Sequence, residues 1–158
     1  MEYTLEGYGN RLDIYYKNTS IFYAIRKRRW FKPNHIYICD QNDKIILKLE
    51  KEALFLSDYD ITEFSKRFFY TKPILLWNSS ALKTSDKKIL EIKSKWLPWS
   101  PKDIKLNEKV IGHTKHKLFS WGQNIKINFT MKEESIITHS LILLLIKYSI
   151  IHERSEHY

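Results

Sequence analysis

The segment from Thr130 to Ile151 constrains the fold of this chain more than any other. At 100° per residue its apolar side chains spread over nearly every side of a helix. Only His139, Ser140 and Lys147 form a thin polar strip. A helix that is apolar almost all round must be enclosed. Because the rest of the chain has strand-like patterns, we expect a sheet to wrap around this helix.

A membrane span is the alternative interpretation of the same segment. A span needs about 20 predominantly apolar residues, whereas the longest unbroken apolar run here extends only from Leu141 to Ile146. Thr130 and Glu133 match a capping box, which marks a helix start. We therefore predict a buried core helix over about residues 132–152, a frayed tail over 153–158, and no transmembrane segment.

Composition is that of one folded domain spanning residues 1–158. A hydrophobic fraction of 43% with 15% aromatic residues excludes general disorder. The single cysteine, Cys39, has no internal disulfide partner, and the first ten residues show no secretory signal pattern. These features predict a cytoplasmic protein, either free or peripheral to a membrane.

Short strands with alternating polarity fill residues 2–131. Leu12 and Ile14 share one side of Arg11–Tyr16, and residues 35–50 read as a β-hairpin around the turn at residues 40–43. Further strands are predicted at Ser20–Arg26, Ala53–Ser57, Tyr59–Phe64, Phe68–Tyr70, Ile74–Trp77, Lys87–Lys93, Lys109–Gly112, Lys115–Trp121 and Asn124–Met131. Residues 78–86 and 94–107 are predicted to be irregular. Strand starts about 8–12 residues apart indicate a sandwich or a barrel.

This layout resembles the tubby C-terminal domain, the LURP-one-related proteins and the phospholipid scramblases. The segment I-Y-I-C-D-Q-N-D-K-I-I-L-K-L looks like the LURP-one hairpin, with Asp43 or Lys44 where that family has glycine. The resemblance implies a closed antiparallel barrel of about twelve short strands, threaded by the hydrophobic C-terminal helix, here Ile136–Ile151. It also implies a binding protein for phosphoinositide headgroups.

A basic run is the candidate for such a headgroup site. Its residues are Arg26, Lys27, Arg28, Arg29, Trp30 and Lys32. Arginine matches phosphate oxygens in a bidentate fashion, and an aromatic side chain suits a headgroup interface. The net charge of +9 favours anionic partners in general. A solvated loop that uses charge to discourage strand pairing is the competing interpretation.

No motif points to catalysis, so we predict a protein that is not an enzyme and carries no cofactor. His113 and His116 lie three apart, which on a strand directs them to opposite faces, and a metal site needs three or four converging ligands. Asp40 and Asp43 are too few for a calcium loop, which argues against scramblase activity. A protein-interaction role, such as an immunity or adaptor protein, is the alternative function. A nucleic-acid-binding barrel is less favoured, because recognition signatures are missing.

Overall fold

A computed structural model describes residues 1–29, 32–51, 59–75, 79–94, 101–116 and 124–155. Within these residues the chain forms twelve β-strands followed by one helix. The strands are β1 (Glu2–Tyr8), β2 (Arg11–Tyr16), β3 (Thr19–Arg29), β4 (Lys32–Asp40), β5 (Ile45–Lys51), β6 (Tyr59–Phe64), β7 (Ile74–Leu75), β8 (Ser79–Lys83), β9 (Ile89–Ser94), β10 (Lys102–Leu106), β11 (Lys109–His116) and β12 (Asn124–Phe129). The helix α1 spans Glu134–Ser155.

The strands form a single sheet that curls into a nearly closed antiparallel barrel. Its order is β6-β5-β4-β3-β2-β1-β12-β11-β10-β9-β8-β7, so two six-strand meanders join where β1 pairs with β12. In the described part of the chain, β6 and β7 share no pairing, and a seam separates them. The prediction of a twelve-strand barrel with a buried C-terminal helix is confirmed. In the described residues the barrel is open along this seam.

The helix lies inside the barrel and fills its core. Ten consecutive residues of α1, from Ser140 to Ser149, are buried. The strands present alternate residues to the helix, and cross-strand partners such as Leu5 and Ile14 share the inner face. Burial on every side explains how a helix with so little polar surface is stable in water.

The start of the helix differs from the predicted capping box. The backbone N–H and the hydroxyl of Thr130 both donate to the carbonyl oxygen of Ile111, at 2.8 and 3.1 Å. Thr130 therefore anchors the chain to β11, and α1 begins four residues later at Glu134. The capping-box prediction is wrong because a carbonyl on the neighbouring strand binds this hydroxyl. The helix also continues past the predicted end to Ser155.

The segment Glu134–His152 has the length and hydropathy of a membrane span, yet 72% of it is buried inside the barrel. A core helix of a soluble domain meets the same criteria of length and composition. In the structure, these side chains are therefore surrounded by the sheet.

Two strands lie in segments that we predicted to be irregular, namely β8 and β10. Their inward positions include Ser80 and Lys102, both buried, so the apolar alternation expected of a half-buried strand is interrupted. The strand predicted at Phe68–Tyr70 is wrong, because these residues form a turn and bend. The strand predicted at Lys109–Gly112 and the start of the one predicted at Lys115–Trp121 form one continuous β11, which ends at His116. Residues 117–121 and the strand predicted at Ala53–Ser57 lie outside the described residues.

The segment between β6 and β7 covers the seam near the first half of the helix. Phe69 is buried there, with its ring 5.8 Å from the His139 ring of α1. The carbonyl oxygen of Phe68 accepts a hydrogen bond from His139 Nε2. Lys72 Nζ lies 3.2 Å from a carboxylate oxygen of Asp60, which joins this segment to β6. The opening is therefore closed partly by side chains instead of by strand pairing.

Gly112 on β11 has no room for a side chain. A Cβ atom at this position would lie 2.6 Å from the carbonyl oxygen of Asn128. The backbone of Asn128 is held in β12 and cannot move away without a cost in free energy. Gly112→Ala is therefore expected to lower the free energy of unfolding by about 1–3 kcal/mol. Chemical denaturation measures this loss. Gly9→Asn is the control, because Gly9 has open space around it and Asn tolerates its φ of +60°. Equal stability of Gly112→Ala and wild type would contradict this packing.

Candidate basic end of the barrel

Several basic side chains converge at the barrel end where the helix finishes. His152 Nε2 donates to the carbonyl oxygen of Gly9, in the turn between β1 and β2, at 2.8 Å. The backbone N–H of Arg26 on β3 donates to the carbonyl oxygen of Asn10 in the same turn, at 2.8 Å. We call this the His152 end of the barrel. Because the strands alternate in direction, the β3–β4 connection and the start of β10 lie at the same end.

The predicted basic run is part of a hairpin instead of an irregular loop. β3 continues through Arg29 and β4 begins at Lys32, with Arg29 and Lys32 as register partners. The structure describes the backbone of these residues and of Arg28, but not their side chains, and Trp30 lies outside the described residues. The pairing brings three cationic residues together at one hairpin tip, which we call the basic hairpin.

Arg26 does not belong to this surface. It pairs with Ile36, faces the barrel interior and is only 7% exposed. It lines a cavity of about 10 Å³ with Leu12 and Ser149 among its neighbours, which is space for about one water molecule and not for a headgroup. The prediction that Arg26 contacts a headgroup at the surface is therefore corrected. An arginine near the last turns of α1 is instead well placed to interact with the negative end of the helix dipole.

Lys27 is exposed on the outer wall of the barrel. Its Nζ lies 5.2 Å from the centre of the Tyr37 ring, and Lys48 Nζ from β5 lies 5.9 Å from the same ring. Both distances are within the range of cation–π attraction. Next to them, His35 Nε2 lies 2.9 Å from a carboxylate oxygen of Glu50. The outer wall below the basic hairpin thus carries two cations near one aromatic ring.

A second group of cations lies inside the barrel at the same end. We call Lys102, His116 and Lys147 the interior cationic cluster. Lys102 has no exposed surface, and its Nζ lies 5.3 Å from the centre of the Tyr148 ring. The His116 ring lies 5.9 Å from the same ring, at 80° to its plane. The ammonium group and the imidazole thus both lie near the Tyr148 ring.

Hydrogen bonds connect the backbone of Lys102 with the side chains of Thr114 and Tyr148. The backbone N–H of Lys102 donates to Thr114 Oγ1 at 2.9 Å, and Thr114 Oγ1 lies 3.0 Å from the hydroxyl oxygen of Tyr148. This connects β10, β11 and α1 through buried atoms. Lys147, the residue before Tyr148, is also buried. Three elements of the fold are thus joined next to the interior cationic cluster.

Burial is the largest cause of the pKa shifts in the cluster, and neighbouring lysine charges add to it. Burial lowers the pKa of Lys102 to about 8, and the charge of Lys147 acts in the same direction. Burial also lowers the pKa of His116, with a further contribution from the charge of Lys102. The pKa of Tyr148 is raised by burial, which keeps its hydroxyl neutral. Burial is the largest cause of all three shifts, and it disfavours a charge of either sign at this position.

The remaining predicted residues show no arrangement for metal or redox chemistry. His113 is exposed while His116 faces inward, so the two histidines point to opposite sides of β11. Among the described residues, no three histidine, cysteine or carboxylate side chains are grouped as metal ligands. Cys39 is buried, and burial raises the pKa of its thiol, which reduces its reactivity.

Sequence reasoning overlooked Lys102 as a candidate functional residue. The signal was present, because Lys102 lies two residues before Ile104, at the inward phase of β10. Lys147 was noticed only as part of the polar strip on the helix. Neither lysine belongs to a basic run in the sequence. The barrel topology is what brings them together.

Comparisons with protein-family models, with curated proteins and with solved structures each found no match. The tubby-like resemblance therefore stays a prediction, and the functional argument depends on the residues themselves.

Proposed function

We propose that this protein binds anionic phospholipid headgroups at a membrane surface through the basic hairpin. The observation that carries the proposal is the register of β3 and β4, which pairs Arg29 with Lys32 at the hairpin tip. Arg28 and the exposed Lys27 adjoin this pair in sequence. Arginine forks match phosphate oxygens, and each basic residue near an anionic membrane contributes about 1 kcal/mol.

The composition of the hairpin tip adds to the proposal. The two residues between the strands are Trp30 and Phe31. Aromatic side chains favour the boundary between headgroups and acyl chains, where apolar and polar surroundings meet. Basic residues that flank an aromatic pair therefore provide both the attraction to phosphate and the apolar contact that a peripheral membrane protein needs.

Co-sedimentation with vesicles tests this function. The first variant replaces Arg28, Arg29 and Lys32 by Ala, and wild type is expected to sediment only with vesicles that contain a phosphatidylinositol phosphate. Removing three such contacts is expected to weaken binding on the order of 100-fold. Higher salt should also weaken wild-type binding, because exposed charges are screened.

A charge-matched control separates the hairpin from net charge. Lys44, Lys83 and Lys109 are exposed and lie at the opposite end of the barrel. Replacing these three by Ala removes the same charge and is expected to leave binding within a few-fold of wild type. If both triple variants lose binding equally, the hairpin has no special role. If wild type does not sediment with anionic vesicles, the proposal is wrong.

A protein partner is the second candidate function. Tyr70 and Ile74 are exposed beside the seam, with Tyr70 at 70% and Ile74 at 59%. β6 and β7 are the edge strands of the described sheet, and an edge strand accepts an extended peptide by strand addition. This role would be favoured if wild type does not bind vesicles but captures a protein partner in a pull-down, and if Ile74→Glu loses that partner.

A further inference from the structure

Two lysines on the outer wall below the basic hairpin lie close to one tyrosine ring. Lys27 Nζ on β3 and Lys48 Nζ on β5 lie 5.2 and 5.9 Å from the centre of the Tyr37 ring. Among the described residues, neither lysine forms an ion pair with a carboxylate. Lys72 and Lys88, by contrast, are each paired with an aspartate. The two charges beside Tyr37 can therefore attract a negative partner outside the chain.

Strand register places these side chains on one outward face. Tyr37 of β4 pairs with Ile25 of β3 on one side and with Lys48 of β5 on the other. These three residues are only half-buried, whereas Ile36 and Ile38, which flank Tyr37 along β4, belong to the core. Side chains alternate along a strand, so the half-buried ones point away from the core. We call Ile25, Lys27, Tyr37 and Lys48 the Tyr37 wall.

The Tyr37 wall combines the chemical groups that suit the surface of a bilayer. Ile25 and the Tyr37 ring provide apolar surface, and a tyrosine hydroxyl prefers a polar environment at the edge of an apolar one. A lysine can lay its hydrocarbon stem along apolar surface while its ammonium group reaches a headgroup. An anionic leaflet also attracts each lysine electrostatically.

Nearby carboxylates do not cancel the positive charge of this side of the barrel. Glu50 of β5 lies 2.9 Å from His35 Nε2. Glu63 of β6 is exposed and is the register partner of Lys48. Glu63 thus opposes the two lysines of the wall, to which the neighbouring basic hairpin adds three more cationic residues.

The length of β4 separates two ways in which the barrel can meet a membrane. Lys32 at the hairpin tip and Tyr37 are five residues apart along β4, which is about 16 Å in an extended strand. Charges are screened over about 8 Å at physiological ionic strength. If only the tip touched the headgroups, Lys48 would lie too far away to contribute. If the wall lies against them, Lys48 contributes like any other surface cation.

We propose that the barrel lies on its side on an anionic membrane, with the Tyr37 wall and the basic hairpin both in contact with lipid headgroups. This inference rests on the proposed membrane role of the basic hairpin and adds the orientation of the bound protein. The contact surface consists of β3, β4 and β5, which are adjacent in the sheet. β10 is six strands away from β4 in the twelve-strand order, so it faces away from the membrane.

Two substitutions with opposite expected effects test this orientation. Co-sedimentation is measured with phosphatidylinositol phosphate vesicles at physiological salt. Lys48→Ala is expected to weaken binding about fivefold. Glu63→Gln removes a negative charge from the same side and is expected to strengthen binding, which a folding defect cannot do. Lys105→Ala is the matched control, because Lys105 is half-buried like Lys48 but lies on β10, and its binding should stay within about twofold of wild type.

The possible outcomes separate the orientation from the membrane role itself. Equal binding of Lys48→Ala and Lys105→Ala, or unchanged binding of Glu63→Gln, would overturn the side-on orientation. The basic hairpin would keep its role if its triple variant still lost binding. If Lys48→Ala and Glu63→Gln act as expected while the triple hairpin variant binds like wild type, the wall is supported and the hairpin role is wrong. Wild type that does not bind these vesicles would overturn both.

Discussion

Leu144→Asp is expected to abolish the folded state of this protein. Leu144 has no exposed surface and lies at the middle of the helix that fills the barrel. An unpaired buried carboxylate costs several kcal/mol, which is comparable with the whole stability of an ordinary domain of about 5–15 kcal/mol. Soluble yield and near-ultraviolet circular dichroism measure the outcome.

Two milder substitutions at the same position give a graded control. Leu144→Met keeps the volume and is expected to cost less than about 1.5 kcal/mol. Leu144→Ala leaves a cavity and should cost about 2–5 kcal/mol. The three variants should therefore rank Met, Ala and Asp in order of increasing loss. A soluble, fully folded Leu144→Asp protein would show that the helix is not the core of the barrel.

Lys102→Met is expected to act in the opposite direction and stabilise the protein by about 2 kcal/mol near neutral pH. Methionine has a similar length and carries no charge, so the interior loses a desolvated charge and its repulsion with Lys147, while the packing on Tyr148 is kept. Urea denaturation in a chloride buffer measures the gain. Lys109→Met is the matched control, because Lys109 is exposed and its replacement should change stability by less than about 0.5 kcal/mol.

The pH dependence of this gain follows from the shifted pKa. The pKa of Lys102 is about 8 in the folded protein and 10.5 ordinarily. Between these values the unfolded chain binds more protons, so wild-type stability rises with pH across the window. The advantage of Lys102→Met is therefore full below about pH 8 and disappears as the pH approaches 10.5. A Lys102→Met protein less stable than wild type at neutral pH would show that the ammonium group stabilises the interior.

The outline of the fold was predictable because its strongest signals are apolar. Residues such as Leu141 and Leu144 mark a helix that must be enclosed, and the alternation of Leu12 and Ile14 marks a strand with one inner face. The hairpin of β4 and β5 was predicted from its turn, where Asp43 adopts a φ of +62° in place of glycine. Asp40 accepts hydrogen bonds from the backbone of this turn.

The candidate site was less predictable because the charge of a residue does not show whether its side chain points into the barrel or out of it. Arg26 appeared to belong with its basic neighbours, but strand alternation turns it inward while Lys27 points outward. Tyr23 and Ile25 face the outer wall, so the inner side of β3 is the one that carries Ala24 and Arg26. Strand β10 was not predicted for the same reason, since lysine is expected to face solvent and Lys102 lies at an inward position. The inner face of this barrel is not purely apolar.

Amide hydrogen exchange with and without vesicles tests the central claim most directly, because it locates the contact surface. In the presence of phosphatidylinositol phosphate vesicles, we predict slower exchange around Lys27–Arg29 and the first residues of β4. The turn at residues 107–108, at the opposite end of the barrel, should exchange at its original rate and serves as the internal control. New protection at that opposite end or along the seam, with the basic hairpin unchanged, would contradict the account.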